Sequence, residues 1–147
     1  MKDMQVNIKA KSTNPTQTEV KVRDFKWTID EPQNLGGTNE GPNPVEYVLG
    51  ALSGCLNVVG HLVAKEMGFT LRGINIEMKG NLNPARFIGQ SEEERAGFKG
   101  IEVSIHADTD ADDETLNKWV KEIENRCPVS DNLSQETPVS ISALKLN

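Results

Sequence analysis

Apolar and polar residues alternate at period two over residues 4–10 (MQVNIKA), which predicts a strand. The same alternation runs through TEVKVRDFKWTID, but its phase reverses midway. Val20 and Val22 share one parity, whereas Phe25, Trp27 and Ile29 share the other. A one-residue shift exchanges the faces of a strand, so the slip near Arg23 and Asp24 predicts a bulge or two short strands. The Gly-, Pro- and Asn-rich stretch EPQNLGGTNEGPNP then reads as a loop.

Helical signals begin at Asn43. It suits the N-cap, Pro44 suits the first helical position, and Glu46 falls where a capping box needs an acid. The helix is expected to run to about Met67, with Gly68 as its stop. Val45, Val48, Leu49, Leu52, Leu56, Val58, Val59, Leu62 and Val63 occupy nearly every face, and a helix apolar all round has to be covered all round. LRGINIEMKG predicts a strand with Ile74, Ile76 and Met78 on one face. A polar loop with Pro84 and the run SEEER separates it from a second strand, GIEVSIHADT. DDETLNKWVKEIENRC predicts an amphipathic helix whose acidic first turn suits the dipole. Its stripe is Leu116, Trp119, Val120, Ile123 and Cys127, and Pro128 ends it. PVSDNLSQET reads as a turn and PVSISALKL as a closing strand.

Strands and helices mix here without regular βαβ alternation, so the fold class is α+β, with mostly antiparallel strands and two long helices. A chain of 147 residues is expected to form a single domain, 1–147, with a core of its own. One modest sheet covers one side of the 44–67 helix, and the second helix covers part of the rest. The remaining apolar surface calls for another subunit, which predicts an obligate homodimer with the long helices near its centre. A net charge of −6 with singly scattered Lys and Arg argues against nucleic acid or an anionic membrane as partner. The most apolar stretch, residues 47–64, is interrupted by Asn57, His61 and three glycines, which favours a buried soluble helix over a membrane span. The start, MKDMQVNIKAKS, has no apolar segment of the signal-peptide kind, so a reducing, cytoplasmic location is expected.

The chain has two cysteines. A free cysteine on an apolar helix usually behaves as a small hydrophobe. Yet Cys55 lies inside the apolar helix and Cys127 ends the core-facing stripe of the second, and a cysteine pair in a reducing compartment is more often catalytic or redox-sensing than structural. A thiolate at a helix C-terminus faces the negative end of the dipole, which fits Cys127 as a resolving partner. Cys55, about three turns inside its helix, needs a cation to lower its pKa. Arg23, at the phase slip, and Arg126, beside Cys127, are the candidates, with a solvated surface arginine as the plain alternative for each. His61 lies about 120° around the helix from Cys55 and is no base for it. His106 has no visible partner. Nothing has metal-ligand spacing, and neither a Walker lysine nor GxGxxG is present, so no metal or nucleotide cofactor is expected.

LGGTNEGPNPVEYVLGALSGCLNVV, followed further along by RCPVSDNL, resembles the OsmC/Ohr family of thiol peroxidases. The motifs are G-x-N-P-x-E, a cysteine nine residues after that glutamate, and a late C-P-V, within a likeness running from DEPQNLGG to the last strand. The resemblance implies an OsmC-like fold and an intertwined homodimer that reduces organic hydroperoxides in oxidative-stress defence. It makes Cys55 the peroxidatic thiolate, oxidised to a sulfenic acid, and Cys127 the resolving thiol that condenses with it to a disulfide. A dithiol reductant then restores the pair, and no cofactor is implied. The organic-hydroperoxide branch pairs its cysteine with an early-strand arginine and a glutamate directly after Asn-Pro. In this chain Val45 stands there and Glu46 one place later, about 180° around and about 13 Å along the helix from Cys55, which makes capping its assignment. The early strand carries Lys9 and Lys11, and Arg23 comes later, so Arg23 and Glu46 stand as supporting candidates. A competing reading keeps the fold but makes the chain a redox-inactive binding protein for a small hydrophobic ligand. A third is a structural dimer stapled by Cys55 and Cys127.

Overall fold

The computed structural model describes residues 1–146. The chain divides into two compact units, residues 1–50 and the chain from Ala51 onward. The first unit is a three-stranded antiparallel sheet of order β1-β2-β3, with β1 at Lys9–Ser12, β2 at Thr18–Val22 and β3 at Phe25–Ile29. The phase reversal is the turn of a tight hairpin. Val22 pairs with Phe25, and Arg23 enters the left-handed region at φ 51° so that the chain reverses within two residues. The two parities then meet across the ladder, Val20 opposite Trp27, and Val20 is buried. The first strand is shorter than the 4–10 alternation predicts. Lys9 already pairs with Lys21, one residue from the end of β2, so residues 1–8 run past the edge that would pair them and are exposed.

After β3 the chain is gathered by one buried carboxylate. Asp30 accepts the Thr38 hydroxyl at 2.6 Å and the N–H groups of Glu31, Thr38 and Glu40 at 2.8, 3.1 and 3.1 Å. The Thr38 hydroxyl first, and these amides with it, outweigh the cost of burial and hold the carboxyl far below its ordinary range. The loop closes tightly enough that a Cβ on Gly37 would fall 1.8 Å from the Glu31 carbonyl oxygen. This loop delivers Asn43 to the start of α1, Pro44–Met67. The capping box forms as predicted: Glu46 N–H donates to Asn43 Oδ1 at 2.9 Å, and Asn43 N–H donates to Glu46 Oε2 at 2.8 Å. Tyr47 ties this first turn to β3 through its hydroxyl, which donates to the Thr28 carbonyl at 2.7 Å.

In the second unit β4, Leu71–Asn81, and β5, Gly100–Thr109, form a long antiparallel hairpin. Leu52, Leu56, Val59, Val63 and Ala64 of α1 meet Trp119, Ile123 and Cys127, with Ile74, Ile76 and Met78 of β4 packed against them. Trp119 and Ile123 belong to α2, Asp113–Arg126, which Asp112 caps by accepting the Thr115 N–H at 2.9 Å. At Gly60 the side chain of Trp119 reaches the backbone of α1. The buried Trp119 Nε1 donates to the Gly60 carbonyl at 2.8 Å, and an added Cβ would meet Ile74 Cδ1 at 2.9 Å and Trp119 Cζ2 at 3.1 Å. Phe69 packs edge-on against the same indole, ring centres 6.1 Å apart. Gly68 stops α1 at φ 77°.

Three expectations need correction. PVSDNLSQET is mostly helix, not a turn: α3 spans Pro128–Ser134, with Pro128 preorganised at its start. PVSISALKL is not a strand. Residues 138–146 are exposed and irregular, because an alternating segment becomes a strand only on a neighbour's backbone and none among the described residues pairs with it. Val120, counted in the α2 stripe, lies at the surface. By length and composition α1 is apolar enough to cross a membrane, but Leu52, Leu56, Val59 and Val63 are buried in this core. Its opposite side is bare, with Val58 66% and Leu62 47% exposed.

Gly60→Ala tests the crossing directly. It is expected to destabilise the chain by about 1–3 kcal/mol through overpacking, read as a lower urea midpoint, and an unchanged midpoint would contradict the close approach described here.

Candidate dithiol site

Leu52, Cys55, Leu56, Val59 and Val63 recur at i, i+3, i+4, i+7 and i+11, so Cys55 sits on the side of α1 that faces the core. Cys127 is one turn beyond Ile123, on the side of α2 that packs on α1. The crossing at Gly60 therefore brings the two thiols together. Their sulfurs lie 3.0 Å apart, both cysteines are free, Cys127 is 1% exposed and Cys55 is half-buried. A disulfide requires about 2.05 Å, so closure needs the sulfurs to approach by about 1 Å.

The short helix α3 completes the surroundings. Cys127 is extended, φ −79° and ψ 108°, as a residue before proline should be. It ends α2 and caps α3 at once: its N–H donates to the Ile123 carbonyl at 2.9 Å, and its Sγ accepts the Ser130 N–H at 3.4 Å. The Val129 N–H donates to the Cys55 sulfur. Successive amides of one helical turn thus serve the two sulfurs in turn. The dipole argument built on the end of α2 alone is incomplete, since Cys127 also stands at the start of the next helix. Pro128 followed by Asp131 in the first turn was the signal for that helix.

Burial pushes the Cys55 thiol above its ordinary value of 9.0, and the hydrogen bond with Cys127 pushes it further, while the Val129 amide pulls the other way. No cation is among these causes. Arg126 is turned to Glu66 of α1 in a two-pronged pair, Nη1 with Oε2 and Nη2 with Oε1 at 3.1 Å. Residues 60 positions apart gave no local signal for this pairing. Arg23 closes the β2–β3 hairpin in the first unit and lays its guanidinium over Phe25, 4.9 Å from the ring centre. Glu46 is engaged in the capping box. His61 and His106 are exposed. Among the described residues no three His, Cys, Asp or Glu side chains converge as metal ligands would.

Two free thiols at a helix crossing, packed beside an antiparallel hairpin, define an α+β dithiol protein. A family model described as OsmC-like protein matches residues 37–142, and the chain belongs to that family. Solved structures share the fold. An OsmC-like protein from Mycoplasma pneumoniae superposes with a TM-score of 0.78 at 17% identity, over 90% of this chain and 89% of that one. An organic hydroperoxide resistance protein from Elizabethkingia anophelis gives 0.64 at 23% identity, over 89% of each chain. One from Legionella pneumophila gives 0.63 at 20%, over 88% of this chain and 89% of its own. No curated protein sequence matches the chain.

The raised thiol has a consequence for pH. Thiolate is the reactive form, so alkylation of Cys55 by iodoacetamide, followed peptide by peptide, is expected to keep accelerating as pH rises to 9.0. A plateau already at pH of roughly 7.5 or below would mean that a cation acts on this sulfur after all.

Proposed function

We propose that this chain is a thiol-dependent peroxidase that reduces organic hydroperoxides in oxidative-stress defence. The observation that carries this reading is the meeting of its two cysteines, reduced and 3.0 Å apart. The family and the hydroperoxide resistance proteins among its structural relatives support it. Cys55, the more accessible sulfur, attacks as thiolate on the outer oxygen of the peroxide bond. That bond breaks, the alkoxide leaves and takes up a proton as the alcohol, and Cys55 becomes a sulfenic acid. Cys127 attacks that sulfur, water departs, and a Cys55–Cys127 disulfide remains. An external dithiol reductant returns both sulfurs to thiols by exchange. The apolar residues around Cys55, Leu52 and Leu56 among them, favour a hydrophobic peroxide. Arg23 is the candidate for activating cation, and Glu46 supports the site by fixing the start of the helix that carries Cys55. The reaction belongs in the cytoplasm, where both thiols are kept reduced.

The test is a free-thiol count, made anaerobically on reduced protein before and after one equivalent of cumene hydroperoxide. Rapid loss of both thiols is expected, abolished by Cys55→Ser, whereas Cys127→Ser should still lose its remaining thiol to a sulfenic acid. Survival of both thiols in the wild type would sink the peroxidase reading. The apolar surroundings of Cys55 would then stand as the binding site of a redox-inactive protein for a small hydrophobic ligand.

We also propose that the working form is an intertwined homodimer. Val58 and Leu62 line a bare apolar side of α1, and residues 1–8 and 138–146 carry alternating apolar residues with no strand to pair with among the described residues. Sedimentation equilibrium is expected to give about twice the chain mass of 16.2 kDa, and Val58→Glu to lower it. A monomer at micromolar concentration would contradict the assembly.

A further inference from the structure

The reduced pair has a second chemical capacity, set by its spacing and by what does not surround it. Zinc binds thiolates at about 2.3 Å and prefers tetrahedral angles, which puts two sulfurs on one zinc about 3.8 Å apart. The pair sits at 3.0 Å, and with bonds of about 2.3 Å that spacing closes an angle near 80°. Zinc also wants four donors, and among the described residues no third or fourth His, Cys, Asp or Glu joins the two sulfurs. The centre that fits is soft, takes two sulfurs only, and accepts bond angles nearer a right angle. A trivalent arsenical has these properties: it is pyramidal, thiophilic, and completes its shell with an organic substituent and a lone pair.

We propose that the reduced Cys55–Cys127 pair is a chelating site for trivalent organoarsenicals. The step is a condensation without oxidation or reduction. An arsenoxide R–As=O loses its oxygen, two As–S bonds form, and both thiol protons leave with that oxygen as water, while arsenic stays trivalent. The half-buried Cys55 is the point of entry and Cys127 closes the ring, its sulfur already in contact. Ring closure is intramolecular, so the chelate outlasts a single-thiol adduct by about 100-fold or more. The Val129 and Ser130 amides, directed at the two sulfurs, hold the pair in the closing arrangement. This inference shares with the peroxidase reading only the reduced, adjacent pair, not its turnover.

The probe is phenylarsine oxide, one equivalent added anaerobically to the reduced full-length protein. Intact mass is expected to rise by one phenylarsine oxide less one water, with both thiols lost. The adduct should survive excess glutathione and be removed by 2,3-dimercaptopropanol. Cys55→Ser and Cys127→Ser should each give an adduct that glutathione strips about 100-fold more readily. Wild-type protein first oxidised to the disulfide should take up none, a control that requires no variant to fold. Equal sensitivity to glutathione in wild type and single variants would overturn the chelate. So would retention of one equivalent of zinc through gel filtration, because the spacing argument would then be wrong. The cumene hydroperoxide assay on the same batch separates the two readings. Thiols lost to peroxide without chelation leave the peroxidase standing and end this proposal, and chelation without response to peroxide does the reverse.

Discussion

The close approach of α2 to α1 at Gly60 is the constraint on which the second unit depends. Without a side chain there, the indole of Trp119 reaches the helix backbone and donates to the Gly60 carbonyl at 2.8 Å. Ile74 of β4 packs into the same space, so one residue sets the spacing of helix, helix and hairpin together. The thiol contact follows from that crossing. Cys55 is about a turn and a half before Gly60 on α1, and Cys127 about two turns after Trp119 along α2. A shift of 1 Å at the crossing is as large as the movement that separates the present contact from a disulfide.

Local punctuation was the most legible part of the chain. Asn43, Pro44 and Glu46 marked the start of α1, Gly68 its end, and Pro128 the end of α2, because each acts through bonds or sterics within a few residues. The parity reversal at Arg23 marked a bulge or two short strands for the same reason, and the hairpin decided between them. Legibility failed where a partner was distant or an element short. Residues 138–146 alternate like a strand, but alternation reports which faces differ and not whether a ladder is available. The α3 helix has seven residues, too few for apolar periodicity to show, and only its proline and first-turn acid betray it. The pairing of Arg126 with Glu66 joins two helices and left no trace along the chain.

The candidate site divides in the same way. That both cysteines would face the core could be read from their places on two helical stripes. What surrounds them could not, because the Val129 and Ser130 amides come from a helix that began as an apparent turn. The expected glutamate is occupied as well: Glu46 spends its carboxylate on the N–H of Asn43, and its contribution to the thiols is the fixed start of the helix that bears one of them.

The electrostatics of Cys55 then bear on how the proposed peroxidase chemistry would be activated. Burial and the neighbouring thiol both favour the protonated form, and one backbone amide opposes them. A single neutral donor is a weak counter to desolvation, whereas a cation within a few ångströms favours a thiolate much more strongly. The arginine nearest in sequence to the pair, Arg126, is bound on both prongs by Glu66, and releasing it would leave that carboxylate unpaired. No charge at the crossing favours a Cys55 thiolate, so the proposed peroxidase chemistry asks for a cation from elsewhere. The bare side of α1, with Val58 and Leu62, needs apolar cover, so covering it and activating the thiol are separate requirements. In the proposed homodimer a second copy would meet the first requirement by covering Val58 and Leu62, while the second still calls for a cation beside Cys55.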